Sequence, residues 1–337
     1  MLPLKSSFED GSSGRASIGE RKLSACVTSI ELLDGEPVAT LGDGRIVFLG
    51  QRRTVEAHAG AILCAAPATE ESGLLSGGDD GRLRLTRQDG TETLFQGSKW
   101  IDAVASRRAG AYAFAHGRVL TIVEATGARR SLQMMGSVHA IVATELGCAV
   151  AHRDGVTLVG AVEDAILTEE FLPSVGGHVA ISASPDGRFL VTAALDSSLN
   201  CWRLSDRAPS KMGGYSAKPN SMAWADGGKW LATSGETRLI VWPMSARGGL
   251  GGKAPVMLAP SRSLVSTVAC HPSADLIAAG YRDGSVVLAR RKVRIVRPVR
   301  GPTNDEITAL RFDAEGERLI YGSAGGAVGS AHLRNML

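Results

Sequence analysis

Ser76-Gly77-Gly78-Asp79-Asp80-Gly81-Arg82-Leu83-Arg84-Leu85 carries two short strand-like runs across an Asp-Gly turn, and its reading decides the fold. Asp-Gly between β-prone runs is a strong hairpin signal, because glycine accepts the positive φ that a primed turn demands. The turn recurs at Asp43-Gly44, His116-Gly117, Asp154-Gly155, Asp196-Ser197, Glu236-Thr237, Asp283-Gly284 and Gly325-Gly326. With Asp80-Gly81 included, successive markers stand 37, 36, 38, 42, 40, 47 and 42 residues apart. One four-stranded propeller blade takes roughly 40 to 45 residues.

Working outward from each marker predicts a strand before the turn, one after it, and an outer strand further on, as at Thr91 to Gln96 and Arg130 to Gln133. No segment sustains a helical period. The expected fold is all-β, a single propeller of eight four-stranded blades, with seven as the alternative. The units run near 26–58, 59–99, 100–137, 138–178, 179–219, 220–263, 264–305 and 306–337. The last holds three strands, so a segment from residues 16–23 is expected to supply the fourth and close the ring, removing an exposed sheet edge. Residues 1–14 read as a disordered tail ahead of a propeller spanning 15–337.

Composition agrees with a closed β-fold and narrows the function. Hydrophobic residues make up 44% of the chain, and glycine supplies 41 of 337 residues, enough for a large core and many tight turns. The formal net charge is only +3, so no overall polycation draws nucleic acid or anionic lipid. Cys26, Cys64, Cys148, Cys201 and Cys270 are odd in number and never form C-x-x-C, which argues against a disulfide framework or zinc knuckle. Without an apolar leader or long apolar run, a cytoplasmic location is expected.

In unit five, Ser184-Pro185-Asp186-Gly187, Phe189-Leu190-Val191-Thr192, Asp196 and Cys201-Trp202 resemble the WD-repeat pattern, with Gly177-His178 before them. Unit six keeps Trp242 six residues after Glu236, and unit two has His58 upstream of the opening stretch. The resemblance implies a buried tetrad of His178, Thr192, Asp196 and Trp202 tying the strands of one blade together. The repeats are degenerate: Arg203 and Pro243 follow the tryptophans where the family has Asp, and Thr86 takes the Trp place in unit two. It also implies a scaffold or adaptor that binds one or more proteins.

No G-x-S-x-G elbow or H-E-x-x-H pair is present. Gly248-Gly249-Leu250-Gly251-Gly252-Lys253 superficially looks like a phosphate loop, but Arg247 and Ala254 replace its first Gly and its Ser/Thr, so a turn is expected. His116, His139 and His152 should lie toward one face of adjacent units, where neutral imidazoles would bind a metal or small ligand if they converged. Their alternative role is ordinary hydrogen bonding within blades. Arg290, Arg291, Lys292, Arg294, Arg297 and Arg300 form an acid-free stretch. It either binds an acidic partner or nucleic acid, or guards an outer strand edge against pairing. The expected function is a non-catalytic protein-binding platform with no cofactor, no membrane partner and no nucleic-acid role of the whole surface.

Overall fold

A computed structural model of the chain describes residues 19–69, 72–145, 147–161, 167–244 and 254–333. The expected tail 1–14 and the glycine-rich turn 248–253 lie outside the described residues.

The described residues form eight antiparallel sheets of four strands each. Blade 1 contains Val27–Leu33, Glu36–Leu41, Arg45–Phe48 and Arg53–Glu56, and blade 2 Ile62–Ala68, Gly73–Gly78, Arg82–Arg87 and Thr91–Gln96. Blade 3 follows with Ala103–Ser106, Tyr112–His116, Val119–Val123 and Arg129–Gln133, and blade 4 with Val138–Thr144, Gly147–His152, Gly155–Ala161 and Leu167–Pro173. Blade 5 is His178–Ala183, Phe189–Ala194, Leu199–Arg203 and Pro209–Met212; blade 6 is Met222–Ala225, Trp230–Thr233, Leu239–Pro243 and Val256–Leu258. Blade 7 is Val265–Cys270, Ile277–Tyr281, Val286–Arg290 and Ile295–Arg300. Blade 8 takes Ile307–Phe312, Arg318–Ser323 and Ala327–His332 from the end of the chain and Gly19–Lys22 from its beginning. Eight blades, not the alternative seven, make the ring.

Closure is a strand pairing with Gly19 opposite Ser330 and Lys22 opposite Ala327. An ion pair between a buried arginine and an exposed glutamate locks it. Arg300, at the end of blade 7, donates to Glu20 at 2.8 Å, and the Tyr321 hydroxyl donates to the same carboxylate at 2.8 Å. The Arg300 guanidinium also lies 5.6 Å from the Tyr321 ring centre, a cation–π distance.

Burial follows position within the blade. Second strands such as Gly73–Gly78, Gly147–His152 and Phe189–Ala194 are buried at every residue, because neighbouring blades cover both sheet faces. Outer strands alternate, as the exposed and half-buried pattern of Arg129–Gln133 shows. The marker glycines have two reasons to be glycine. Gly44 and Gly81 have φ of +89° and +74°, and a Cβ on either would meet a carbonyl oxygen of the next interblade loop at 2.3 Å.

Strand order also fixes two chemically distinct ends of the disc. The interblade loops and the second-to-third strand turns lie on one end, here called the loop face. The first-to-second and third-to-fourth strand turns lie on the other, the turn face. Side chains of neighbouring turns meet on the turn face: Arg291 pairs with Asp275 at 3.0 Å, and Glu36 accepts from the Gln51 amides.

Candidate functional site

Polar side chains from the interblade loops insert into several blades and pin them. In blade 2, His58 approaches Asp80 at 3.0 Å through Nδ1 and Ser76 Oγ at 2.9 Å through Nε2. Burial holds His58 below the ordinary imidazole value, with Asp80 opposing that shift. The neutral ring therefore donates from Nδ1 to the carboxylate and accepts the Ser76 hydroxyl proton at Nε2. Burial alone would raise Asp80; the His58 bond and the amides of Ala59 and Arg82 hold it below the usual carboxylate value.

Blade 6 reaches the same result with different chemistry. The Trp242 indole donates to the Tyr215 hydroxyl at 2.7 Å, and Tyr215 pairs with Thr233 at 2.8 Å. Glu236 accepts from the Ser216 amide, as Asp80 does from Ala59. Tyr215 thus stands where blade 2 has His58. Sequence reading missed it, although its place 27 residues before Trp242 compares with 28 between His58 and Thr86.

The tetrad expected in blade 5 does not form as one unit. His178 bonds Thr192 at 2.8 Å, and its ring centre lies 6.0 Å from that of Trp202, which is buried. Asp196 is exposed and instead binds Lys211 at 2.8 Å and the Ser198 hydroxyl. Register supplies the reason. His178 pairs with Ala194 just before a bulge, the place that Ile62 holds opposite Gly78 in blade 2. The residue four positions before Ile62 is His58; four before His178 is Ser174, whose hydroxyl donates to Asn200 at 3.1 Å. The histidine therefore reaches the second strand from inside the blade, and the loop position carries a serine.

The three histidines considered for metal do not converge. The His116 ring stacks 5.1 Å from Phe95, and buried His152 uses Nε2 on Thr157 at 3.0 Å while its Nδ1 has no partner among the described residues. His139 is the exposed bulge residue of blade 4. Among the described residues no group of three His, Cys, Asp or Glu side chains is placed to hold a metal ion. Burial also pushes the thiols of Cys64, Cys148 and Cys270 up to about 12, far from a thiolate nucleophile.

The basic stretch divides in two. Arg300 is buried in the ring-closing pair, and Arg291 is held between Asp275 and the Trp230 ring, 4.0 Å from its centre. Arg290 ends the third strand of blade 7 half-buried, whereas Lys292, Arg294 and Arg297 are exposed beside Val293 and Ile295. The six cations do not form one surface. Pro298 on the outer strand lacks an N–H, which blunts that edge against added strands.

The largest unexplained exposure lies on the loop face. Leu63, Trp100, Met135, Val175 and Leu195 are exposed there, and all belong to blades 2 to 5 or to the loops between them. The remaining exposed large apolar residues, Phe171, Met257, Val293 and Ile295, lie on outer strands or at a turn-face hairpin of the circumference. Trp100 is 61% exposed whereas Trp202 and Trp242 are buried. Sequence reading missed this set because apolar residues in loops look like any other strand material.

The family model described as WD domain, G-beta repeat matches residues 50–86, 169–203 and 256–288. Each match begins near or within the outer strand of one blade and extends into the third strand of the next. No curated protein matches the chain. Among solved structures, the crystal structure of the computationally designed Ika8 protein is similar, with a TM-score of 0.74 at 16% identity. That likeness covers 92% of this chain and 97% of the designed one, and shows the fold alone. All eight blades are four-stranded antiparallel sheets, and the three matched stretches together with that eight-bladed ring support a β-propeller of the WD-repeat kind.

Proposed function

We propose that this propeller is a non-catalytic platform on which a protein partner docks across the loop face of blades 2 to 5. One observation carries the reading: among the described residues, the exposed large apolar side chains of the loop face fall in that half of the disc. Clustered exposed apolar groups are costly in water unless a partner covers them, and tryptophan is a preferred interface anchor. Trp100 is the anchor, with Met135, Val175 and Leu195 following along the same face toward blade 5. No described helix is long and apolar enough to cross a membrane. The five cysteines form no disulfide with one another, which fits work in the reducing cytoplasm.

The test uses photo-crosslinking residues placed singly at positions 100, 135 and 175, with 238 and 262 on the opposite half as controls, in the native host. The expected outcome is one shared crosslinked protein from the first three positions, absent from the controls and lost when Met135 and Val175 are both changed to Ser with the probe at 100. Equal crosslinking from both halves, or none from positions 100, 135 and 175, overturns the reading.

A further inference from the structure

A cavity of about 900 Å³ opens on the turn face between the ends of blades 3, 4 and 5. Its origin is a local shortage of side-chain volume. Stacked sheets stand about 10 Å apart and need large residues between them. Between blades 4 and 5, Leu172 toward the loop face and the cross-strand pair Leu190 and Trp202 nearer the turn face fill the interior. At the turn face itself the space is lined by Ala143, Gly160 and Ala183, with Val142, Leu158 and Leu204 completing an apolar floor.

The wall above that floor is cationic. Among the described residues, Arg107, Arg108, Arg188, Arg203 and Arg207 line the cavity, against Glu145 and Glu170 as the acidic lining residues. Four of the arginines are fixed by carboxylates: Arg107 by Glu124 at 3.2 Å, Arg188 by Asp186 at 2.7 Å, Arg207 by Glu170 at 2.8 Å and Arg203 by Asp206. Glu124, Asp186 and Asp206 are not part of the lining, so they hold guanidinium groups at the wall without lining the space themselves. A guanidinium has five N–H donors, and one carboxylate engages at most a pair of them well. Arg108 is exposed and has no ion-pair partner among the described residues. The volume lies within the roughly 300 to 1,000 Å³ usual for small-molecule sites.

We infer that this cavity binds a small amphipathic acid, its apolar body on the Ala143, Ala183 and Leu158 floor and its carboxylate against the arginine wall. Two features select that class. An apolar floor rewards hydrocarbon, and prefixed guanidinium groups recognise a carboxylate with little further loss of side-chain freedom. A cationic amphiphile would face the guanidinium of Arg108, which has no ion-pair partner among the described residues, and an uncharged one would leave the wall's donors unused. The site is on the opposite face from the proposed protein-docking surface and stands independently of it.

Isothermal titration of the full chain with decanoate, 1-decanol and decylammonium, all below their aggregation concentrations, tests the assignment. Decanoate is expected to bind one per chain, decanol about tenfold or more weakly, and decylammonium not measurably. Arg108→Glu should weaken decanoate about tenfold and leave decanol unchanged. Ala183→Leu should abolish both by filling the floor, and a Tm within a few degrees of the parent's establishes that it folds. Equal binding of decanol and decanoate, decanoate binding indifferent to Arg108→Glu, or no binding of decanoate overturns the inference. Exchange of Trp100 for Ala should leave decanoate binding unchanged, so failure here is separate from failure of the docking surface.

Discussion

Blades 2 and 6 differ from blades 3 and 4 in how the loop leading into each blade is held. In blades 2 and 6 a loop side chain, His58 or Tyr215, enters the blade and meets a hydroxyl on its second strand. The loops leading into blades 3 and 4 are held by backbone groups: Gly97 donates to Gly81 and Met134 to Arg118, both at 2.8 Å. Arg118 adds a side-chain bond to the Met134 carbonyl. Those two loops are the ones that present Trp100 and Met135 to solvent. A loop anchored by its backbone leaves its side chains for other work, and the two loops without an inserted bolt carry the exposed Trp100 and Met135.

Removing bolts should reveal that difference, beginning with the largest effect. Trp242→Ala takes away a buried ring and the donor to Tyr215, and should cost about 3–5 kcal/mol in urea unfolding. His58→Leu leaves Ser76 and Asp80 without their partner and should cost about 2–3 kcal/mol by the same measurement. His152→Leu should change stability by less than about 1 kcal/mol, since it removes one bond to Thr157 together with an unpartnered buried nitrogen. If His152→Leu costs as much as His58→Leu, blades 3 and 4 are not the less firmly bolted pair.

Acid should sharpen the same contrast. Burial lowers the values of His58, His152 and His178 in the folded protein. The unfolded chain then binds more protons, so stability falls as the pH drops through about 6.5 and toward the depressed native values. Asp80, held low by its bonds to His58 and two amides, adds a further loss below about pH 4. Urea midpoints at pH 7.5 and pH 5 should therefore differ, and His152→Leu should narrow the gap. The smallest expected effect concerns the circumference. Reversing Lys292, Arg294 and Arg297 to Glu should leave the urea midpoint unchanged within about 0.5 kcal/mol, because all three are exposed.

Much of the fold was legible because its signals are local. An Asp-Gly pair such as Asp80-Gly81 encodes its own turn, and the period of such turns encodes the blade. The missing fourth strand of unit eight even announced the closure that Gly19–Lys22 makes. The site was less legible. His178 stands in a Gly-His pair that looks like a loop bolt, yet its register places it inside the inner strand. His116, His139 and His152 share a face without sharing a point. Arg300 belongs to a run of cations in the chain but to Glu20 in space, 280 positions away.

By itself, then, the sequence determined the repeat, the closed all-β ring and the WD-repeat resemblance, since each can be read from local turn signals and their spacing along the chain. Only the tertiary structure decided which histidine bolts which blade, which half of the loop face exposes Trp100, and that Ala143, Gly160 and Ala183 from two different blades leave a cavity ringed by arginine. Those properties arise where separate blades meet. One-residue differences in strand register redirect side chains there, and no local pattern records them.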